Sequence, residues 1–94
     1  GKYYTLYENG QKQAEGNLKN GKQDGLTTEW YENGKKAKES NFKDDKQDGL
    51  YLEWHENGQK RFEIKYKHGE EVEGSEKFWN SKGELFGTYE ESEK

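Results

Sequence analysis

The chain has 94 residues, 15% of them aromatic and 38% charged, with bases and acids nearly cancelling at a net charge of −4. Leu, Ile, Val and Phe occupy only 12 positions, which leaves room for a small aromatic core and excludes a thick one. The lack of cysteine removes disulfides, thiol catalysis and cysteine-based zinc sites, and acids interspersed among the lysines argue against a nucleic-acid partner. No apolar run in the visible sequence is long enough for a signal peptide or a membrane span, so the segment reads as soluble with its compartment open. It has no Met and begins at Gly1, so a fragment of a longer repeat protein is expected.

In chain order, the first marker is Tyr7-Glu8-Asn9-Gly10, which returns as Tyr31-Glu32-Asn33-Gly34 and as His55-Glu56-Asn57-Gly58 at intervals of 24 residues. Lys22-Gln23-Asp24-Gly25-Leu26 lies between the first two and returns as Lys46-Gln47-Asp48-Gly49-Leu50 at the same offset. A fourth copy is degenerate. Phe78-Trp79 aligns with Trp30-Tyr31 and Trp54-His55, and Asn80-Ser81-Lys82-Gly83 reads as a turn with one extra residue. Self-similarity at a fixed period is the signature of a repeat architecture, here with approximate units 1–23, 24–47, 48–71 and 72–94 in a single domain.

Asn followed by Gly between β-favouring runs suits a tight hairpin, read here as a type I turn with a glycine bulge. That turn sets Tyr31 opposite Lys35, Trp30 opposite Lys36, Thr28 opposite Lys38 and Leu26 opposite Ser40. Strand alternation then predicts an apolar face of Leu6, Leu18, Leu26, Trp30, Phe42, Leu50, Leu52, Trp54, Phe62, Ile64, Tyr66 and Phe78. The other face would carry Tyr7, Tyr31, His55 and Trp79 beside the turns, among Glu15, Glu29, Glu39, Glu53, Arg61 and Glu63. No stretch has sustained helical spacing. The expected fold is therefore all-β: an elongated, single-layer antiparallel meander of stacked hairpin repeats, about eight strands with a 24-residue period.

Units such as Asp24-Gly25-Leu26-Thr27-Thr28-Glu29-Trp30-Tyr31-Glu32-Asn33-Gly34 resemble the MORN repeats, specifically the longer bacterial variant. The pattern changes after Lys67, where His68-Gly69-Glu70-Glu71-Val72-Glu73-Gly74 replaces the Lys-Gln-Asp-Gly-Leu marker. The resemblance implies a curved sheet whose hairpins form a trough. It also implies kinship with antitoxin-like proteins of bacterial toxin–antitoxin loci, and with eukaryotic modules beside phosphoinositide kinase domains or at membrane junctions. It brings no catalytic residues.

Several segments imitate chemical motifs without their context. Gly16 to Gln23 approaches a phosphate-binding loop, but Gln23 stands where a hydroxyl should hold magnesium and no helix follows. Asp44, Asp45 and Asp48 before Gly49 suggest a calcium loop, yet Lys46 occupies a ligand position and His55 falls where the closing carboxylate belongs. Ser40-Asn41-Phe42-Lys43 matches a serine-nucleophile pattern, but Gly16 and Ile64 hold the serine's place in neighbouring copies. His55 and His68 lie outside metal-ligand spacing. The carboxylates lack a desolvated pocket for acid–base work and read as cross-strand partners, such as Glu53 with Arg61.

These readings predict a non-catalytic scaffold with no cofactor or metal, whose partner is another protein or a second copy of itself. Candidate anchors are Trp30, Phe42, Trp54, Phe62 and Tyr66, because aromatics dominate interface energetics. Lys36 beside Trp30 and Lys60 beside Trp54 are expected to lay their stems over the indoles. The alternative is a module binding anionic lipid or phosphoinositide headgroups through those lysines, accompanying a separate domain. Net acidity opposes it.

Overall fold

A computed structural model describes residues 1–88, so the last six residues of unit 72–94 lie outside the described residues. The strands are β1 (Lys2–Leu6), β2 (Lys12–Lys19), β3 (Lys22–Gln23), β4 (Gly25–Trp30), β5 (Lys36–Lys43), β6 (Lys46–Gln47), β7 (Gly49–Trp54), β8 (Lys60–Lys67), β9 (Glu70–Glu71), β10 (Lys77–Trp79) and β11 (Leu85–Thr88). One sheet runs β1-β2-β4-β5-β7-β8-β10-β11, while β3, β6 and β9 fold back on β2, β5 and β8. Every pairing is antiparallel. The chain measures 42 × 33 × 12 Å. Two sheets packed face to face would already be separated by about 10 Å between their backbones, so 12 Å is the thickness of a single layer. A radius of gyration of 14.6 Å, against roughly 12 Å for a compact chain of this length, agrees with an open sheet.

The Asn-Gly turns take the expected form. The Gly34 amide donates to the Tyr31 carbonyl at 3.0 Å and the Tyr31 amide to the Lys35 carbonyl at 2.8 Å. The Asn33 side-chain oxygen accepts the Lys35 amide at 2.9 Å, fixing the loop from within. Gly34 sits at φ 86°, a region that costs a residue with a Cβ roughly 1–2 kcal/mol. Gly34→Ala is accordingly expected to destabilise the chain by about 1–2 kcal/mol, read as a lower urea midpoint with unchanged slope.

A second irregularity, absent from the sequence-based register, changes the faces. Trp30 pairs with Lys36, but Glu29 pairs with Lys38, which leaves Ala37 as an unopposed bulge. The same slip leaves out Gln13, Arg61 and Phe86 in the other hairpins. A one-residue slip moves every later side chain of that strand to the opposite face. Thr28 therefore meets Glu39 and Leu26 meets Asn41, correcting the predicted Lys38 and Ser40. The single apolar face divides accordingly. Leu6, Leu26, Leu50, Leu52, Trp30 and Trp54 stay together, while Leu18, Phe42, Phe62, Ile64, Tyr66 and Phe78 belong to the other face. Glu15, Glu39 and Glu63 join the tryptophans, so charge is not confined to one side either.

The fourth hairpin also needs realignment. The Asn80 amide donates to the Glu84 carbonyl and the Gly83 amide to the Asn80 carbonyl, both at 3.0 Å, repeating the bonds of Tyr31. Trp79 thus corresponds to Trp54 and Asn80 to His55. The turn has the usual length, and the extra residue lies upstream, between β9 and β10. There Ser75 inserts itself, its hydroxyl donating to the Val72 carbonyl at 2.6 Å and accepting the Lys65 amide at 3.0 Å.

Consecutive hairpins share a short ladder, only Ala14–Glu29 and Glu15–Thr28 between the first two and Lys38–Glu53 and Glu39–Leu52 between the next. At the far turns the Asp45 amide adds a bond to the Gln23 carbonyl at 3.0 Å and the Gly69 amide one to the Gln47 carbonyl at 2.8 Å, and beside the Asn-Gly turns side chains make the joint. The Tyr7 hydroxyl donates to the Trp30 carbonyl and the Tyr31 hydroxyl to the Trp54 carbonyl, each at 2.6 Å. His55 Nε2 meets the Trp79 carbonyl at 2.9 Å, so that nitrogen carries a proton. Beside them the Asn9, Asn33 and Asn57 amides donate to the carbonyls of Glu32, Glu56 and Ser81. All six contacts point from one repeat to the following one.

Candidate functional site

On the tryptophan face, Lys36 pairs with Trp30 in the backbone register, yet its ammonium lies 5.8 Å from the ring centroid of Trp54. Lys60 likewise reaches the ring of Trp79 at 5.5 Å. Each lysine thus keeps the expected register opposite Trp30 or Trp54 but covers the indole of the next repeat, correcting the expectation that its stem lies over the indole it opposes. The same ammonium groups hold Glu39 at 2.8 Å and Glu63 at 3.4 Å. Lys12 and Glu15 repeat the ion pair at 2.7 Å, and that ammonium holds the Glu15 carboxyl below its ordinary pKa. Exposed pairs of this kind contribute modestly to stability. Their consequence here is that the row of cations is internally neutralised.

The opposite face changes character along the sheet. Its central row, read across successive strands, is Thr5, Ala14, Glu29, Lys38, Glu53, Phe62 and Phe78. The first five carry short or charged side chains, and the last two are aromatic. Around them runs a continuous aromatic chain: Tyr66 to Tyr51 at 6.3 Å, Tyr51 to Phe62 at 6.2 Å, Phe62 to Phe78 at 5.2 Å and Phe78 to Phe86 at 6.1 Å. Such separations suit edge-to-face and tilted packing. Beneath it Ile64, paired with Tyr51, is only 1% exposed. Phe42 shares this face but sits apart, opposite Gly25 and Gln47.

The seven predicted anchors therefore do not form one site. Phe62 and Tyr66 belong to the aromatic chain, whereas Trp30, Trp54, Lys36 and Lys60 occupy the other side. Tyr51 and Phe86 complete the patch and were not among the predicted anchors. Tyr51 falls where repeat two has Thr27, and Phe86 is the bulged residue of the last hairpin, so alternation alone could not place them.

The patch opens into a concavity of about 480 Å³ lined by Phe62, Phe78 and Phe86, with Glu53, His55 and Arg61 at its rim. Arg61 stands 3.9 Å from Glu53 and is 60% exposed, so its remaining donors are available. Burial first, then the hydrogen bond to Glu53 at 2.7 Å, pushes the Tyr51 phenol well above its ordinary pKa. Burial followed by Glu71 does the same to Tyr66. Both phenols are neutral hydrogen-bonding groups at physiological pH. Among the described residues no cluster of three or more His, Asp or Glu is arranged to hold a metal ion.

An open single-layer sheet of hairpin repeats, cross-tied by side chains and carrying aromatic patches, defines a β-repeat scaffold. The family pattern described as a MORN repeat variant matches residues 1–20, 23–44 and 47–68. The chain belongs to that family, whose repeats form scaffolds and generally carry no catalysis. Comparison with curated proteins and with solved structures returns no match.

Proposed function

We propose that this chain is a non-catalytic scaffold that binds a protein partner through the aromatic patch of Tyr51, Phe62, Tyr66, Phe78 and Phe86. The observation that carries this reading is the apolar concavity between Phe62, Phe78 and Phe86 on a sheet with one layer. Phe86 is 64% exposed, and Glu53 and Arg61 give the opening a polar rim. Interfaces concentrate their energy in such aromatic-lined pockets. Likeness to the bacterial variant makes an antitoxin-like role, with a toxin as partner, the finer form of the same proposal.

Phe78→Ala is expected to weaken partner binding by about 2 kcal/mol, roughly thirtyfold. Trp30→Ala, on the other face, should leave it unchanged once stability is matched. Affinity measured by titration calorimetry on a partner recovered by pull-down checks this. Equal losses from both variants would place the interface elsewhere. The lipid-headgroup alternative draws less support, because Lys36 and Lys60 are already paired with Glu39 and Glu63. Salt-sensitive binding to anionic vesicles that Lys36→Ala abolishes would reverse that preference.

A further inference from the structure

The tryptophan face carries two sets of lysines. Lys12, Lys36 and Lys60 are held by Glu15, Glu39 and Glu63. The second set lies at the other end of the strands, toward the turns that follow β2, β5 and β8: Lys19, Lys22, Lys43, Lys46, Lys65 and Lys67. All six are exposed, and among the described residues none of them makes an ion pair. The register puts them on this face, since Lys65 is opposite Leu50 and Lys43 lies two residues beyond Asn41, which is opposite Leu26.

Lys22 stands directly opposite Lys19, and Lys46 directly opposite Lys43. The third repeat has Glu70 opposite Lys67 instead. Like charges directly opposite each other on a sheet are destabilising, so the first two repeats hold a repulsion that a bound anion relieves. Lys43 and Lys46 have a described repeat on either side, so their excess charge does not come from a chain end. Lys19, Lys22 and Lys43 line a concavity of about 350 Å³ with Asn20, Asp24 and Asp44. At the same end of β4 and β7, Leu26 and Leu50 are 48% and 38% exposed, and Leu26 is the diagonal neighbour of Lys43.

We propose that this end of the tryptophan face docks an acidic, amphipathic segment of another protein. Its carboxylates would meet Lys19, Lys22, Lys43 and Lys46, and its apolar side chains Leu26 and Leu50. Lysine without arginine offers point charges but no planar fork for phosphate. The indoles of Trp54 and Trp79 lie under lysines, which leaves nucleic-acid bases few open rings to stack on. A membrane plane would press Asp24 and Asp44 against anionic headgroups, whereas a narrow peptide passes between them. The surface lies across a 12 Å layer from the aromatic patch and adds a second partner to the one proposed there.

The probe is a labelled synthetic peptide in which Glu and Leu alternate, read by fluorescence anisotropy. The chain is expected to bind it, more weakly as salt rises, and not to bind the same peptide with Gln in place of Glu. Lys43→Ala with Lys46→Ala should weaken binding about fivefold or more, as the loss of two exposed ion pairs implies. Lys38→Ala with Lys82→Ala makes the same change of net charge away from this surface and should alter the affinity far less. Lys46→Glu copies the Lys67–Glu70 arrangement, so it should raise the urea midpoint while weakening the peptide, which separates lost binding from a damaged fold. Four results would overturn the proposal: no binding of the Glu-Leu peptide, equal losses from the two double variants, a lower urea midpoint for Lys46→Glu, or tighter binding at the same salt to phosphatidylserine vesicles or single-stranded DNA. None of them involves Phe78, so failure here is distinguishable from failure of the aromatic-patch proposal.

Discussion

Ile64→Ala is expected to destabilise the chain by about 2–4 kcal/mol, the range for deleting a buried aliphatic side chain. Among the described residues Ile64 is the one buried hydrophobic side chain. It pairs with Tyr51 and lies between Phe62 and Tyr66 on the same face of β8. A thin sheet cannot close over the cavity from a second layer, so the aromatic rings must either slump inward or leave a void. Typical domains have only 5–15 kcal/mol in hand, and this loss would consume a large share. Ile64→Val, which keeps the branch at Cβ, should cost about 0.5–1.5 kcal/mol. Urea unfolding followed by circular dichroism measures both. A loss below about 1 kcal/mol for the alanine variant would mean that burial at Ile64 contributes little beyond an ordinary surface position.

The disruption should also reach function, because Ile64 underlies the rings that line the proposed binding concavity. A variant that still folds but presents a slumped Phe62 would lose affinity without any change at the rim. This separates support of the patch from contact with a partner. Phe78→Ala removes a contact, whereas Ile64→Val perturbs the platform beneath it.

The repeat period, the turn type and the meander were all legible in the sequence, since Asn-Gly at a fixed 24-residue interval dictates a local conformation. The faces were not. A glycine bulge at Gly34 is written in the residue that adopts it, but the second bulge falls on Gln13, Ala37, Arg61 and Phe86, which share no chemistry. Strand alternation has a period of two, so one unrecognised residue reverses every side chain beyond it. That is why Phe42, Phe62 and Tyr66 were placed beside Trp30 and Trp54. The recurrence of Tyr7, Tyr31 and His55 did carry a readable signal, because each is a ring with a hydrogen-bond donor at its tip. Its meaning depends on the spacing between hairpins, a tertiary quantity that no local pattern contains.

Tyr31 is the position where that tertiary quantity can be weighed. Tyr31→Phe is expected to cost about 1–2 kcal/mol, because it leaves the part-buried Trp54 carbonyl without its partner. Tyr31→Ala should cost about 3 kcal/mol, adding loss of the ring's packing between repeats two and three. Around Tyr31 the joint holds the ladder pairs Lys38–Glu53 and Glu39–Leu52, Asn33, which donates to Glu56 at 2.9 Å, Lys35, which donates to Asn57 at 3.2 Å, and Lys36 over the Trp54 ring, while at the far end the Asp48 and Gly69 amides donate to the Asn41 and Gln47 carbonyls, each at 2.8 Å. In a linear repeat protein stability is a sum of unit and interface contributions, and weakening one interface reduces cooperativity. The alanine variant should therefore unfold over a broader urea range, with a smaller apparent slope than wild type. Hydrogen exchange should show residues 1–43 and residues 49–79 opening at different free energies in the variant and together in the wild type. A sharp transition with a full slope, shifted bodily to lower urea, would show instead that the contacts remaining across the joint couple the repeats without Tyr31.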